Sequence, residues 1–142
     1  MSHLVKKECA LRDLQTLLEA AKALGWSVSE NEKVKYYSAY GPVCEYVLHL
    51  ESEVDDIGKA LTYTIGIQME GGKINLLHDN AMNGREVMYG DKMDTCTTRI
   101  LNKLKQSYQI VAAQKVAQKK QWKVRELVPM PGSKRRVLEI EV

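Results

Sequence analysis

His78 and Asp79 are neighbours in the chain, and a carboxylate beside an imidazole is what lets a histidine act as a general acid or base. Both fall at the end of an apolar run that predicts a β-strand, however, and sequence neighbours on a strand point to opposite faces. A surface or loop-anchoring role is the expectation, with a small-molecule pocket beside His78 and Asp79 as an alternative. Glu51, Glu53, Asp55 and Asp56 bring four carboxylates within reach of a divalent cation. Their spacing lacks the glycine and terminal glutamate of a calcium loop, so a solvated acidic turn is expected. Cys9, Cys44 and Cys96 are odd in number and widely separated, without the paired spacing that chelates zinc. Free, mostly buried thiols are expected. No nucleophile elbow, P-loop, HExxH or dinucleotide fingerprint occurs, and His3 and His49 stand at no metal-ligand spacing from His78. Neither catalytic residues, metal ligands nor a cofactor are assigned.

The remaining chemistry is electrostatic. Between Arg99 and Arg136 stand eleven Lys and Arg residues, opposed within the stretch by Glu126 alone, whereas the whole chain carries a formal charge of only +3. Such a block invites a polyanion reading. A rotation of about 100° per residue spreads Arg99, Lys103, Lys105, Lys115, Lys119 and Lys120 around a helix instead of along one side. Lys115 falls in the apolar sector, so the helix leaves the core there, bends, or meets an acid from elsewhere. Lys115, Lys119 and Lys120 also suit the negative end of the helix dipole. The best residual nucleic-acid patch is Lys134, Arg135 and Arg136 on the last hairpin, with Lys123 and Arg125 expected across from them.

The elements that must position these groups follow from apolar spacing. Leu11, Leu14, Leu17, Leu18, Ala21 and Leu24 recur at intervals of three and four and predict an amphipathic helix, with Asp13 at its start and Gly25 at its end. Leu4 to Cys9 precede it as a short edge strand. From Lys33 to Leu50, β-favouring residues are divided by Gly41-Pro42, which predicts two strands turning at that pair. Ala60 to Met69 alternate in hydrophobicity, Glu70-Gly-Gly-Lys73 supplies a tight turn, and Ile74 to Leu77 return as the partner strand. Gly66, inside this hairpin, marks a close approach of another backbone or side chain. Asn80 to Gly90 is expected as a loop. Ile100, Leu101, Leu104, Tyr108, Val111 and Ala112 then form the stripe of a long helix starting near Asp91 and Asp94 and reaching about Lys119. Trp122–Val128 and Arg135–Val142 flank Met130-Pro-Gly-Ser133 as a closing hairpin, with Pro131 and Gly132 at the centre of a type II turn.

The 142 residues therefore predict a single α+β domain, residues 1–142, with a largely antiparallel sheet of about five to seven strands and two main helices. One helix follows the N-terminal strand and the long one precedes the C-terminal hairpin. No run approaches the roughly 20 apolar residues of a membrane span, and the N-terminus lacks an apolar signal core. Cytoplasmic residence is the expectation.

The start Met1-Ser-His3, the helix segment Asp13 to Trp26, the hairpin Tyr63–Ile67 to Leu76–Asp79, and Leu104 through Tyr108 into the closing hairpin resemble the hypothetical chloroplast open reading frame thirty-five family, a domain of unknown function. Members tend to carry an acid where Thr64 stands and a tryptophan where Asn80 stands. The resemblance implies an accessory role, since genes of that family look to be neighbours of an AAA-type ATPase. It implies no catalytic residues. A non-enzymatic, protein-binding accessory domain is thus the expected function, with a nucleic-acid-binding module as the main alternative.

Overall fold

A computed structural model of the chain describes residues 4–9, 11–36, 39–54, 58–79, 87–89, 92–94, 96–128, 131–132 and 135–141. The side chains of residues 5, 7, 8, 36, 79, 87–89, 92–94, 96 and 97 lie outside the description. The elements run β1 (Leu4–Glu8), α1 (Leu14–Ala23), β2 (Ser27–Tyr36), β3 (Ala39–His49), β4 (Thr64–Glu70), β5 (Lys73–Asp79), β6 (Val87–Tyr89), β7 (Lys92–Asp94), α2 (Cys96–Lys119), β8 (Lys123–Leu127) and β9 (Val137–Glu141). The α+β class, the two helices and their places are as expected. Strands β1-β5-β4-β3-β2 form one five-stranded sheet in that order, with every neighbouring pair antiparallel. Two separate ladders, β6–β7 and β8–β9, complete the β structure among the described residues.

Asp13 caps α1, its Oδ1 accepting the Thr16 backbone N–H at 3.2 Å. At the other end Gly25 has φ +82°. Its N–H reaches the Lys22 carbonyl at 3.0 Å and that of Trp26 reaches Ala21 at 3.1 Å, the two bonds of a Schellman termination. Helix α2 ends the same way. Gln121 takes φ +60°, its N–H bonds to the Gln118 carbonyl at 3.2 Å, and that of Trp122 bonds to Ala117 at 2.7 Å. Here a residue with a Cβ occupies the left-handed position, where glycine would be free of strain.

Both helices cover one face of the sheet. Leu17, Leu18, Ala20 and Ala21 of α1 and Ile100 and Leu104 of α2 pack with Trp26, Leu48, Leu50, Leu61, Ile65, Ile67, Ile74 and Leu76. Each large apolar side chain buried there contributes about 1.5–3 kcal/mol relative to exposure. Polar contacts lock the helices together. The Ser107 hydroxyl donates to the Ala20 carbonyl at 2.8 Å, and the Asp13 N–H donates to the Tyr108 oxygen at 3.1 Å. Lys115 meets Glu19 of α1 at 2.9 Å and Thr16 at 3.0 Å, which explains a lysine in the apolar sector of α2: the acid comes from the neighbouring helix.

The β2–β3 hairpin departs from expectation. Its strands begin earlier, at Ser27, and the chain reverses between Tyr36 and Ala39, so Gly41-Pro42 lies within β3 and does not form the turn. The register slips by one residue between Lys33↔Val43 and Lys35↔Tyr40, which places the pair in a bulge on β3. A bulge tolerates the missing proline N–H without losing a regular ladder bond. At Asn31 (φ +53°) the hairpin bends. Beyond it Lys35 donates its N–H to the Thr64 hydroxyl of β4 at 2.7 Å, although β3 separates β2 from β4 in the sheet order. The distal hairpin thus folds over the face opposite the helices, where Val34, Cys44, Val47 and Leu77 form a second, smaller buried cluster. Gly66 makes this possible. A Cβ there would stand 2.5 Å from Cys44 Sγ and 3.2 Å from Val34 Cβ, so the glycine marks the close side-chain approach expected of it.

The β4–β5 hairpin turns at Gly71 and Gly72, both at positive φ as a type I′ turn requires. β4 starts at Thr64, later than the expected Ala60; Ala60 makes only an isolated bridge to Val54. Most of the expected Asn80–Gly90 loop lies outside the described residues, but Val87–Tyr89 forms a strand paired with Lys92–Asp94, so α2 starts only at Cys96.

Candidate functional site

Part of the basic block is held in local contacts, and Lys103, Lys115, Arg125 and Arg136 each meet an acid. Arg99 donates to the Val54 carbonyl at 2.7 Å, and Lys103 holds both oxygens of Glu53 at 2.7 and 2.8 Å. Lys115 is taken by Glu19. Lys120 sits 4.6 Å from the centroid of the Trp122 ring, a cation–π contact just past the helix end. On the closing hairpin Arg125 meets Glu139 at 3.0 Å, and Arg136 grips both oxygens of Glu126 at 2.6 and 2.9 Å. Arg136 holds the Glu126 carboxyl below its ordinary range by hydrogen bonding, and Glu126 raises the guanidinium in return.

Among the described residues, the cations of the expected nucleic-acid patch do not stand opposite one another across the ladder. Lys123 and Arg125 lie opposite Glu141 and Glu139, while Arg136 and Arg135 precede β9 at the turn end of the hairpin. At about 3.3 Å per residue, Arg125 stands about 7 Å and Lys123 about 13 Å along the ladder from the Leu127–Val137 pair at the turn end. Arg125 also shares a face with Glu139 and not with the Arg136–Glu126 pair. Lys134 lies outside the described residues. Strand register, invisible in the order of charges along the chain, interleaves these cations with acids.

His78 is buried, 1% exposed, and shares a strand face with Ile74 and Leu76 under the helices. This corrects the surface half of the expectation. Asp79 ends β5 and its side chain lies outside the description. Glu53 is likewise not solvated. It is 9% exposed and accepts the Trp26 indole N–H at 2.8 Å beside Lys103. Asp55 and Asp56 fall outside the described residues. No group of three His, Cys, Asp or Glu among the described residues is placed to hold a metal ion. Cys9 and Cys44 are free thiols whose pKa values burial pushes up, which opposes thiolate chemistry. The Cys96 side chain lies outside the description.

One polar cluster escaped the sequence reading. At the Asn31 bend the Ser29 hydroxyl lies 2.7 Å from Glu32 Oε2 and 2.7 Å from His49 Nε2. Glu32 and His49 open onto a groove lined in part by Lys33, Lys35, Tyr40 and Thr64. The serine has one proton. Donating it to Glu32 leaves a lone pair that can accept an N–H from His49. The cluster staples the bend. Only the Ser29–Glu32 spacing was available in the chain; His49 arrives through the β2–β3 register.

The closing hairpin exposes several of its apolar residues. It forms a two-stranded ladder outside the main sheet, following and packing beside the end of α2. Val124, Leu138 and Ile140 share one face with the Glu126–Arg136 pair; Lys123, Arg125, Glu139 and Glu141 occupy the other with Leu127 and Val137. Val128 is 93% exposed, Val137 46% and Ile140 40%. Among the described residues, no helix is long and apolar enough to cross a membrane. Neither a protein-family model, a curated protein nor a solved structure matches the chain.

Proposed function

We propose that this chain is a non-enzymatic, protein-binding accessory domain whose docking element is the C-terminal hairpin β8–β9. The observation that carries this reading is the exposure of both hairpin faces, with Val128, Val137 and Ile140 in solvent. A lone two-stranded hairpin is marginally stable in water, and partner burial would supply apolar contacts that this one lacks. The ion pairs on the basic block weigh against the polyanion alternative, because each cation so held must leave an acid before it can neutralise a phosphate. An AAA-type ATPase, implied by the family resemblance, is the first partner class to test. The experiment is site-specific photocrosslinking from position 140 of the tagged full chain in its native host, with position 72 on the β4–β5 turn as control. A reproducible protein adduct from 140 and not from 72 is expected. A chain that forms no adduct and purifies as a solitary monomer overturns the reading.

A further inference from the structure

We propose that the free edge of β9 takes an extended partner segment in which basic and apolar residues alternate, added as an antiparallel third strand. The proposal rests on the protein-binding reading and specifies its ligand. Among the described residues β9 pairs with β8 alone, so its outer edge carries backbone N–H and C=O groups without ladder partners. It contains neither the proline nor the lysine that commonly blunts such an edge, its sequence being Val-Leu-Glu-Ile-Glu.

Side-chain chemistry selects the ligand. Glu139 and Glu141 project to one face of β9, and Leu138 and Ile140 to the other. A strand laid along the outer edge sets its own alternate residues beside these, so cations match the glutamates and apolar groups match Leu138 and Ile140. β8 demonstrates the match on the inner edge, where Lys123 and Arg125 stand opposite Glu141 and Glu139 while Val124 stands opposite Ile140. The Arg125–Glu139 pair at 3.0 Å leaves the Glu139 side chain 49% exposed, with its remaining acceptor positions available.

A second copy of the chain fits this edge poorly. Two β9 strands related by a two-fold axis and overlapping along their full length would set Glu139 directly against Glu139, a repulsive arrangement. A β8 strand from a second copy carries suitable cations, but docking it leaves a further β9 edge open and builds an endless filament.

The test uses the full chain and three fluorophore-labelled hexapeptides: Lys-Val-Lys-Val-Lys-Val, Glu-Val-Glu-Val-Glu-Val, and the block sequence Lys-Lys-Lys-Val-Val-Val. Anisotropy titrations are expected to show at least tenfold tighter binding of the alternating basic peptide than of either other, with slowed amide exchange confined to residues 137–141. The double substitution Glu139→Gln and Glu141→Gln, which keeps size and hydrogen bonding, is expected to weaken that binding at least tenfold with an unchanged circular dichroism spectrum. If this variant unfolds, Ile140→Thr provides the second test, with weaker binding of the alternating basic peptide as the expected result. Equal affinity for the three peptides, or amide protection elsewhere, overturns the proposal. Concentration-dependent self-association that protects β9 without peptide overturns it in favour of a second copy. If position 140 crosslinks to a partner but peptide discrimination is absent, strand addition fails and the protein-binding reading stands.

Discussion

The carboxylate of Glu53 accepts the indole N–H of Trp26 at 2.8 Å, in a position shielded from solvent. It ties the segment after β3 to the end of α1, and Lys103 adds α2 to the same carboxylate. Trp26 packs in the core cluster, so this polar contact is seated at the rim of the apolar one.

Glu53→Ala is therefore expected to destabilise the domain by about 2–4 kcal/mol, because it strands a buried indole N–H and removes the Lys103 partner. Lys103→Met should cost less, about 1 kcal/mol, since the ammonium is half exposed and screened by water. Urea unfolding of the two variants checks the order; equal losses would remove Trp26 as the reason for the difference.

Gly66→Ala is expected to cost about 1–3 kcal/mol by forcing a methyl against Cys44 and Val34. Adding Cys44→Ala removes the nearer atom and should recover part of the loss. Strict additivity in that double-mutant cycle would show that the two sites do not touch.

Gln121→Gly is expected to stabilise the protein by about 0.5–1 kcal/mol, since glycine adopts the left-handed end of α2 without a Cβ clash. Gly25→Ala, at the matching position of α1, should destabilise by about 1 kcal/mol. Thermal melts give both signs.

Acid should loosen the start of α1 and the closing hairpin. The Asp13 carboxyl is held low first by the Thr16 backbone N–H, Glu19 first by Lys115 and Glu126 first by Arg136. Because each folded-state pKa lies below its ordinary value, the stability it contributes is present above the ordinary carboxylate range and is lost as pH falls through the folded values. Asp13→Asn keeps a capping oxygen without a titrating proton. Chemical denaturation across acidic pH should show a shallower loss for that variant than for the parent.

The pairing of Lys103, Lys115, Arg125 and Arg136 with local acids predicts weak, non-specific DNA binding. Anisotropy with duplex DNA is expected to show no tight complex at low salt. A steep log–log salt slope, near −0.9 per phosphate neutralised, would return Lys123, Arg125, Arg135 and Arg136 to the polyanion alternative.

Local chemistry was legible in the sequence wherever a residue's own conformation or periodicity decided the outcome. Leucine spacing located α1, a mixed apolar stripe located the body of α2 but not its start, Gly71-Gly72 located the β4–β5 turn, and Gly25 located the end of α1. The Gly41-Pro42 pair misled because a bulge accommodates its local preferences as well as a turn does, and the choice depended on which residues of β2 faced it. The candidate site divides in the same way. The chain order displayed eleven cations with one intervening acid, and helical phase was enough to disperse the first half. Only tertiary structure decided their partners: helix packing supplied Glu19 to Lys115, the loop before β4 supplied Glu53 to Lys103, and strand register set Glu139 and Glu141 against Arg125 and Lys123. Periodicity is a property of single segments, so the sequence determined the two helices and the β4–β5 hairpin, while the β2–β3 turn and the β6–β7 ladder were decided by pairing. Charge pairing depends on distances between segments far apart in the chain, and those distances exist only once the segments pack.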